Sequence, residues 1–252
     1  MQDDAGLAGK TLVLTGATAG IGKAIARQAA SAGARLVLVA RGEEKLAETL
    51  AALPPASEVK AIAGCVTDGE TAQRAFAAAQ AMGGCDVLVN NAGIFPTALL
   101  ADTGEALAEQ VMQVNFFGTF HFCRAFVPAM IARGGGSVIN VTSIAARAPT
   151  PGLSVYAASK GAVEAFTRAI AAEAAPHVRI NCLSPGPTRT ETVVALEADD
   201  NTGAVAEVTK AIPLARYADC DEIANGVLFL AGPRSSWMTG QTLQVNGGVL
   251  MA

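Results

Sequence analysis

The chain has 252 residues, of which 51% are hydrophobic and only 16% charged, with a formal net charge of −4. A chain this long buries a large core, and so apolar a composition excludes disorder and suits buried parallel strands. The negative balance and the lack of any basic run argue against nucleic acid or an anionic membrane, leaving a small molecule as the expected partner.

The five cysteines, Cys65, Cys85, Cys123, Cys182 and Cys220, are odd in number and form no CxxC. Neither a disulfide framework nor a cysteine zinc site is expected, and reduced thiols point to a cytoplasmic setting. His121 and His177 make no ligand cluster, so no metal is expected. The start, M-Q-D-D-A-G, reads as no signal peptide, and no unbroken apolar run of about 18 residues predicts a membrane span. Few charges on an Ala-rich chain suggest surface covered by partner subunits, hence a homo-oligomer.

Residues 11–15 read as a short buried strand, followed by T-G-A-T-A-G-I-G and a helix on which Ile21, Ile25 and Ala29 repeat. Gly33 is its expected stop. In that turn Gly16 permits a tight bend. Gly20 and Gly22 allow backbone to approach a ligand and the helix to pack on the strand. The helix N-terminus then offers free N–H groups to a pyrophosphate. The second strand, 34–41, ends in Ala40-Arg41, where an NAD-binding fold carries an acid for the ribose 2′-hydroxyl. A cation without a carboxylate suits a 2′-phosphate, hence NADP(H) over NAD(H). Residues 59–65 predict a third strand, and Thr67 or Asp68 a cap for the helix that follows, up to Met82.

Residues 86–90 predict a fourth strand, and Asn91-Ala92-Gly93 follow it. Residues 107–130 are apolar on nearly all sides, as in a core or interface helix. Asn115 inside it is either a packing amide or part of a proton relay. Residues 137–142 predict a fifth strand that delivers Ser143 at its end, where ligands of open α/β sheets bind. Tyr156 and Lys160 are four apart, so on a helix, expected over 157–172, they share a face. A cation there would lower the phenol pKa from about 10 and make Tyr156 a usable acid or base. A sixth strand, 178–183, runs into S-P-G-P-T-R-T. Residues 188–212 show no strand and read as a lid loop. Its Val193, Val194, Ala195 and Leu196, with Ile94, Phe95, Ile144 and Val155, suggest an apolar substrate wall. A helix over 221–230 and a strand over 243–245 complete one domain, 1–252. The β-α alternation predicts a doubly wound, Rossmann-type parallel sheet of about seven strands with helices on both faces.

Taken in order, these motifs resemble the short-chain dehydrogenase/reductase family over nearly the whole chain. The resemblance implies hydride transfer between a nicotinamide and a carbonyl carbon, with Asn115, Ser143, Tyr156 and Lys160 as catalytic tetrad. Tyr156 would move the proton, Ser143 position the substrate oxygen, Lys160 acidify Tyr156 and hold the nicotinamide ribose, and Asn115 keep a water in a relay. It also implies cofactor contacts from Gly16, Thr18, Ala19, Gly20, Ile21 and Gly22, from Arg41 and Val66, and from Asn91, Ala92 and Gly93. Tyr156, Lys160, Pro185, Gly186, Thr188 and Thr190 complete that set. Ser143, Tyr156, Ile144, Val155 and Val193 would face the substrate.

Two positions depart from the family pattern. Cys65 stands where an acid usually helps hold adenine, and Ala19 where many NADP members carry a base, so NADP preference rests on Arg41. The tail T-G-Q-T-L-Q-V-N-G-G-V-L-M is similar to that of bacterial 3-oxoacyl-carrier-protein reductases. Glu191, Glu197, Asp199 and Asp200 in the lid would repel an acidic carrier, so a free ketone or secondary alcohol is the expected substrate. A 3-oxoacyl thioester is the alternative, and a non-catalytic nucleotide-sensing scaffold a remote one. The resemblance implies a tetramer or dimer.

Overall fold

A computed structural model describes residues 5–200 and 203–251. Residues 1–4, most of the acidic start, lie outside the described residues, as do the side chains of Leu196 and Asp199. Seven strands form one parallel sheet: β1 Thr11–Thr15, β2 Arg35–Ala40, β3 Val59–Ala63, β4 Val87–Asn90, β5 Gly136–Val141, β6 Val178–Pro185 and β7 Thr242–Val245. Their order is β3-β2-β1-β4-β5-β6-β7, so the winding reverses between β1 and β4. A crevice opens at the C-terminal strand ends of such a switch point.

Successive side chains of a strand point to opposite faces, and here both faces are covered. Leu12, Leu14, Leu36 and Leu38 pack on the side of α1 (Gly20–Ser31) and α9 (Cys220–Ala231). Val13, Val37, Val39 and Leu88 pack on the side of α3 (Gly69–Gln80) and the long helices. Each such side chain contributes about 1.5–3 kcal/mol on full burial, which explains the continuous apolar strands of this sequence. The remaining helices are α2 Glu43–Ala51, α4 Glu105–Met112, α5 Gly118–Ala132, α6 Ser154–Ala174, α7 Glu191–Asp199 and α8 Ala204–Ala211.

Several boundaries differ from the sequence expectation. β3 ends at Ala63, so Cys65 lies past the strand in a turn. Asp68, not Thr67, caps α3: its carboxylate accepts the Glu70 N–H at 2.9 Å, while the Thr67 hydroxyl turns to Cys65 Sγ at 3.0 Å. The run 107–130 is α4 and α5 joined through a π turn, Gln113–Phe117, with Asn115 at its centre. β6 extends to Pro185, and α6 begins at Ser154, which places Tyr156 inside the helix. The largest correction concerns 188–212, which is α7 and α8 rather than loop. Branched Thr192, Val193 and Val194 masked the helical signal of the Glu, Ala and Leu around them. Gly203, at φ +76°, and the Asp200 carboxylate, accepting the Val205 N–H at 2.8 Å, start α8.

Among the described residues no helix is long and apolar enough to cross a membrane. Among them, too, no three His, Cys, Asp or Glu side chains converge as metal ligands, and all five cysteines are free thiols.

Candidate active site

The turn after β1 is built around close backbone approach. Gly16 has φ +67°, and a Cβ there would come within 2.8 Å of Ala92 Cα. A Cβ on Gly22 would collide with the Gly16 carbonyl and stand 2.7 Å from Asn91 Nδ2. Asn91 locks the arrangement, since its Nδ2 donates to the carbonyls of Thr15 (3.2 Å) and Gly16 (3.1 Å). Thr15 Oγ1 in turn accepts the N–H groups of Asn91 (3.0 Å) and Ala92 (3.1 Å). The two motifs therefore form one rigid wall, with the start of α1 behind it. Thr18 and Ile21 are half-buried and Ala19 is exposed along this wall. These residues fit a dinucleotide: the cradle is too tight for any side chain, and the α1 N-terminus already receives an anionic group. The Gly20 N–H donates to Glu191 Oε2 at 2.8 Å.

Around the crevice, Arg41 is exposed just beyond the end of β2, after Ala40. Val66 is buried against Gly118, where a Cβ would stand 2.7 Å from its side chain. Pro185 ends β6, and the Gly186 N–H donates to the Val245 carbonyl at 2.9 Å. Thr188 turns its hydroxyl back onto the Gly186 carbonyl at 2.9 Å. Thr190 instead faces the glycine turn, its Cγ2 lying 3.0 Å from a Cβ built on Gly20.

The four chemistry-bearing side chains meet beside this wall. Lys160 is 4% exposed, donates to the Val141 carbonyl at 2.8 Å, and lies 5.9 Å from the centroid of the Tyr156 ring. Burial pulls its pKa down to about 8, with Cys182 opposing the shift. Ser143 follows the end of β5 and caps a 3-10 turn, Ile144–Ala146, by accepting the Ala145 N–H at 3.2 Å. It also stands near enough to the Tyr156 phenol to pull that pKa down. That phenol departs from expectation. Burial raises its pKa, and Ser143 works in the opposite direction. The ammonium donates to the Val141 carbonyl and lies over the ring.

Asn115 is fully buried, and its amide is spoken for. Its Oδ1 accepts the Ile94 N–H at 2.8 Å, and its Nδ2 donates to the Ile94 carbonyl (2.9 Å) and to Ser159 Oγ (3.0 Å). These bonds pin the chain after Gly93 to α6. Its backbone carbonyl accepts the Thr119 hydroxyl at 2.9 Å. Gly93 marks where the groups converge: a Cβ there would stand 3.2 Å from Asn115 Oδ1 and 3.3 Å from Lys160 Nζ.

On the substrate side, Phe95 is 51% exposed and meets the Tyr156 ring edge-on at 6.3 Å. Ile94, Ile144, Val155 and Val193 are half-buried, and Ala195 is exposed. Val194 lines a cavity of about 440 Å³ beside α1, with Gly20, Lys23, Arg27 and Leu53. Glu191 at the glycine turn was not legible as a site residue, because nothing in the sequence says where the lid folds.

Comparison with known proteins agrees with this geometry. The family model described as enoyl-(acyl carrier protein) reductase matches residues 16–250. Galactitol 2-dehydrogenase (L-tagatose-forming) of Cereibacter sphaeroides is 39% identical over 245 residues, 96% of this chain and 95% of that protein. The 3-oxoacyl-(acyl-carrier-protein) reductase FabG of Vibrio cholerae is 36% identical over 247 residues, covering 97% and 99% of the two chains. The structure of L-sorbose reductase from Gluconobacter frateurii, complexed with NADPH and L-sorbose, matches with a TM-score of 0.93 at 32% identity over 99% of both chains. The chain belongs to the short-chain dehydrogenase/reductase family. It is an oxidoreductase of the alcohol–ketone class and takes a nicotinamide cofactor.

Proposed function

We propose that this chain is an NADP(H)-dependent reductase of a small free ketone, or dehydrogenase of the matching secondary alcohol. The observation that carries the reading is the Tyr156 phenol, beside Ser143 and under the Lys160 ammonium close to the glycine turn. When bound, the nicotinamide supplies or accepts the hydride. Ser143 donates a hydrogen bond to the substrate oxygen and steadies the charge that grows there. Tyr156 gives that oxygen a proton in reduction and takes it back in oxidation. Lys160 holds the ribose, and Asn115 fixes the Ile94 backbone and α6 on which the others depend.

The cofactor contacts are Gly16, Thr18, Ala19, Gly20, Ile21 and Gly22 at the pyrophosphate, Val66 at adenine, Asn91–Gly93 along the wall, and Pro185, Gly186, Thr188 and Thr190 at the nicotinamide end. Arg41 takes the 2′-phosphate: it is exposed at the right strand end, with no carboxylate at position 40. NADPH in the L-sorbose reductase structure supports the same choice. Residues 188–212 act as the lid over a single domain. Phe95, Ile144, Val155 and Val193 give the mouth an apolar character, which favours a ketone with an alkyl or aryl substituent over a polyol. A cytoplasmic homo-oligomer is the setting that fits free thiols and apolar side chains left exposed, such as Phe117 and Trp237. The similarity to FabG keeps a 3-oxoacyl thioester as the second reading.

The test is turnover of a panel of ketones, alcohols and an acetoacetyl thioester with each cofactor, alongside Tyr156→Phe. Losing the phenolic proton should lower kcat by about 10²–10⁴-fold without changing cofactor affinity. A Tyr156→Phe protein of unchanged activity would overturn the reading, and preference for the thioester would replace the substrate.

A further inference from the structure

Ser143 and Tyr156 arrive from different directions. One follows a strand, the other rides a helix, and the segment between them, A-P-T-P-G-L, is exposed at Pro149, Thr150 and Pro151. Acting on one substrate oxygen demands a fixed separation of the two hydroxyls. α6 reaches back to the Ser143 strand end at three points. Lys160 Nζ donates to the carbonyl of Val141, the last residue of β5, at 2.8 Å. One turn further along the same buried face stands Glu164, 5% exposed. Its Oε2 accepts Arg147 Nε at 2.9 Å, and its Oε1 takes the buried Thr142 hydroxyl at a long 3.5 Å, a proton that Thr142 shares with the Leu183 carbonyl at 3.2 Å. Thr142 immediately precedes Ser143, and Arg147 follows it by four residues. One carboxylate on the Tyr156 helix thus grips the chain on both sides of Ser143.

We propose that Glu164, paired with Arg147, is a positioning residue that sets the register of Ser143 against Tyr156. The proposal rests on the reading of the site given above. A charge kept this deep needs a reason, because a buried ion pair is often no more stabilising than well-packed neutral residues. Its geometry supplies one, since it joins the two elements whose relative placement the chemistry needs. Breaking the pair leaves each element folded and lets the 143–147 turn slide away from α6.

The chain has two tyrosines, so in a Tyr217→Phe background absorbance near 295 nm follows Tyr156 alone. Ser143 favours the phenolate. Glu164→Gln and Arg147→Met should therefore each raise the Tyr156 titration midpoint by about one pH unit, tenfold in its ionisation constant. They should lower kcat by about tenfold or more and leave the KM for cofactor unchanged. Both variants should also lose thermal stability. The double variant Arg147→Met/Glu164→Gln removes both charges and should regain Tm while its Tyr156 midpoint stays raised. Should Glu164→Gln fail to fold, Arg147→Met and Arg147→Lys carry the same readout from a partly exposed side chain, with Lys intermediate. Midpoints that stay at the parent value, or that recover together with Tm in the double variant, would reduce the pair to a stability device and overturn the proposal. If no carbonyl or alcohol is turned over by any of these proteins, the catalytic reading fails, and the titration still judges the clamp.

Discussion

The Glu191 carboxylate, on the first residue of α7, accepts the Gly20 N–H at the first residue of α1. The two residues are 171 apart in sequence. A helix N-terminus carries free N–H donors and the positive end of the helix dipole, so it attracts any nearby anion. Here the anion is a side chain of the lid itself. A pyrophosphate entering the glycine turn competes with Glu191 for the same donor. Glu191→Ala is therefore expected to tighten binding of NADPH and NADH alike, by about two- to fivefold, with a larger effect at low salt. Cofactor fluorescence titration at two ionic strengths checks this. Weaker binding in the variant would mean that Glu191 supports the occupied site instead.

Cofactor choice turns on a different residue. Arg41 follows Ala40 at the end of β2 and forms no ion pair among the described residues. Among the described residues none forms an ion pair with it before a 2′-phosphate arrives. A hydrogen bond between charged groups contributes about 1.5–3 kcal/mol, so Arg41→Ala should raise the KM for NADPH by about tenfold to a hundredfold and leave NADH nearly unchanged. Steady-state kinetics with both cofactors reads the ratio directly. An equal loss for the two would assign Arg41 to the adenine face, where guanidinium stacking is indifferent to the phosphate.

Much of this was legible in the sequence, for physical reasons that differ by residue. The glycine turn, N-A-G and the Ser-Tyr-Lys trio are local patterns whose constraint is carried by identity and spacing, and the structure brings Ser143, Tyr156 and Lys160 together. The five inner strands were legible because a strand buried on both faces must be apolar throughout. The lid was not, because its helices are short and carry branched residues in their first turns, and the start of α7 is placed by contacts with Gly20 that no local pattern encodes. Glu164 was hidden for a related reason. An acid four residues after Lys160 looks like an ordinary surface pair on a helix, and only the packing of α6 on β6 and on the 144–146 turn brings it inside. Proximity of Tyr156 and Lys160 was legible, but the lowered phenol pKa expected from it is outweighed, since burial raises that pKa and spacing along a helix does not say how deep the hydroxyl sits.

Lys160 gives the last prediction. Its folded-state pKa is pulled down to about 8 from an ordinary 10.5, chiefly by burial. Between those two values the unfolded chain binds more protons at this site than the folded one, so stability rises with pH across that window. Below pH 8 both states carry the ammonium, and the fold bears the full cost of burying it. The shift corresponds to about 3 kcal/mol at its limit. Burial raises the Tyr156 pKa, so its contribution falls only above the ordinary phenol value, outside the useful range. Comparing wild type with Lys160→Met cancels every other titrating group. The expected result is a Tm difference that moves steadily in favour of wild type from pH 7.5 to 9.5. A difference that stayed flat across that range would mean that the folded protein holds the amine fully charged throughout, with the Val141 carbonyl compensating for its burial.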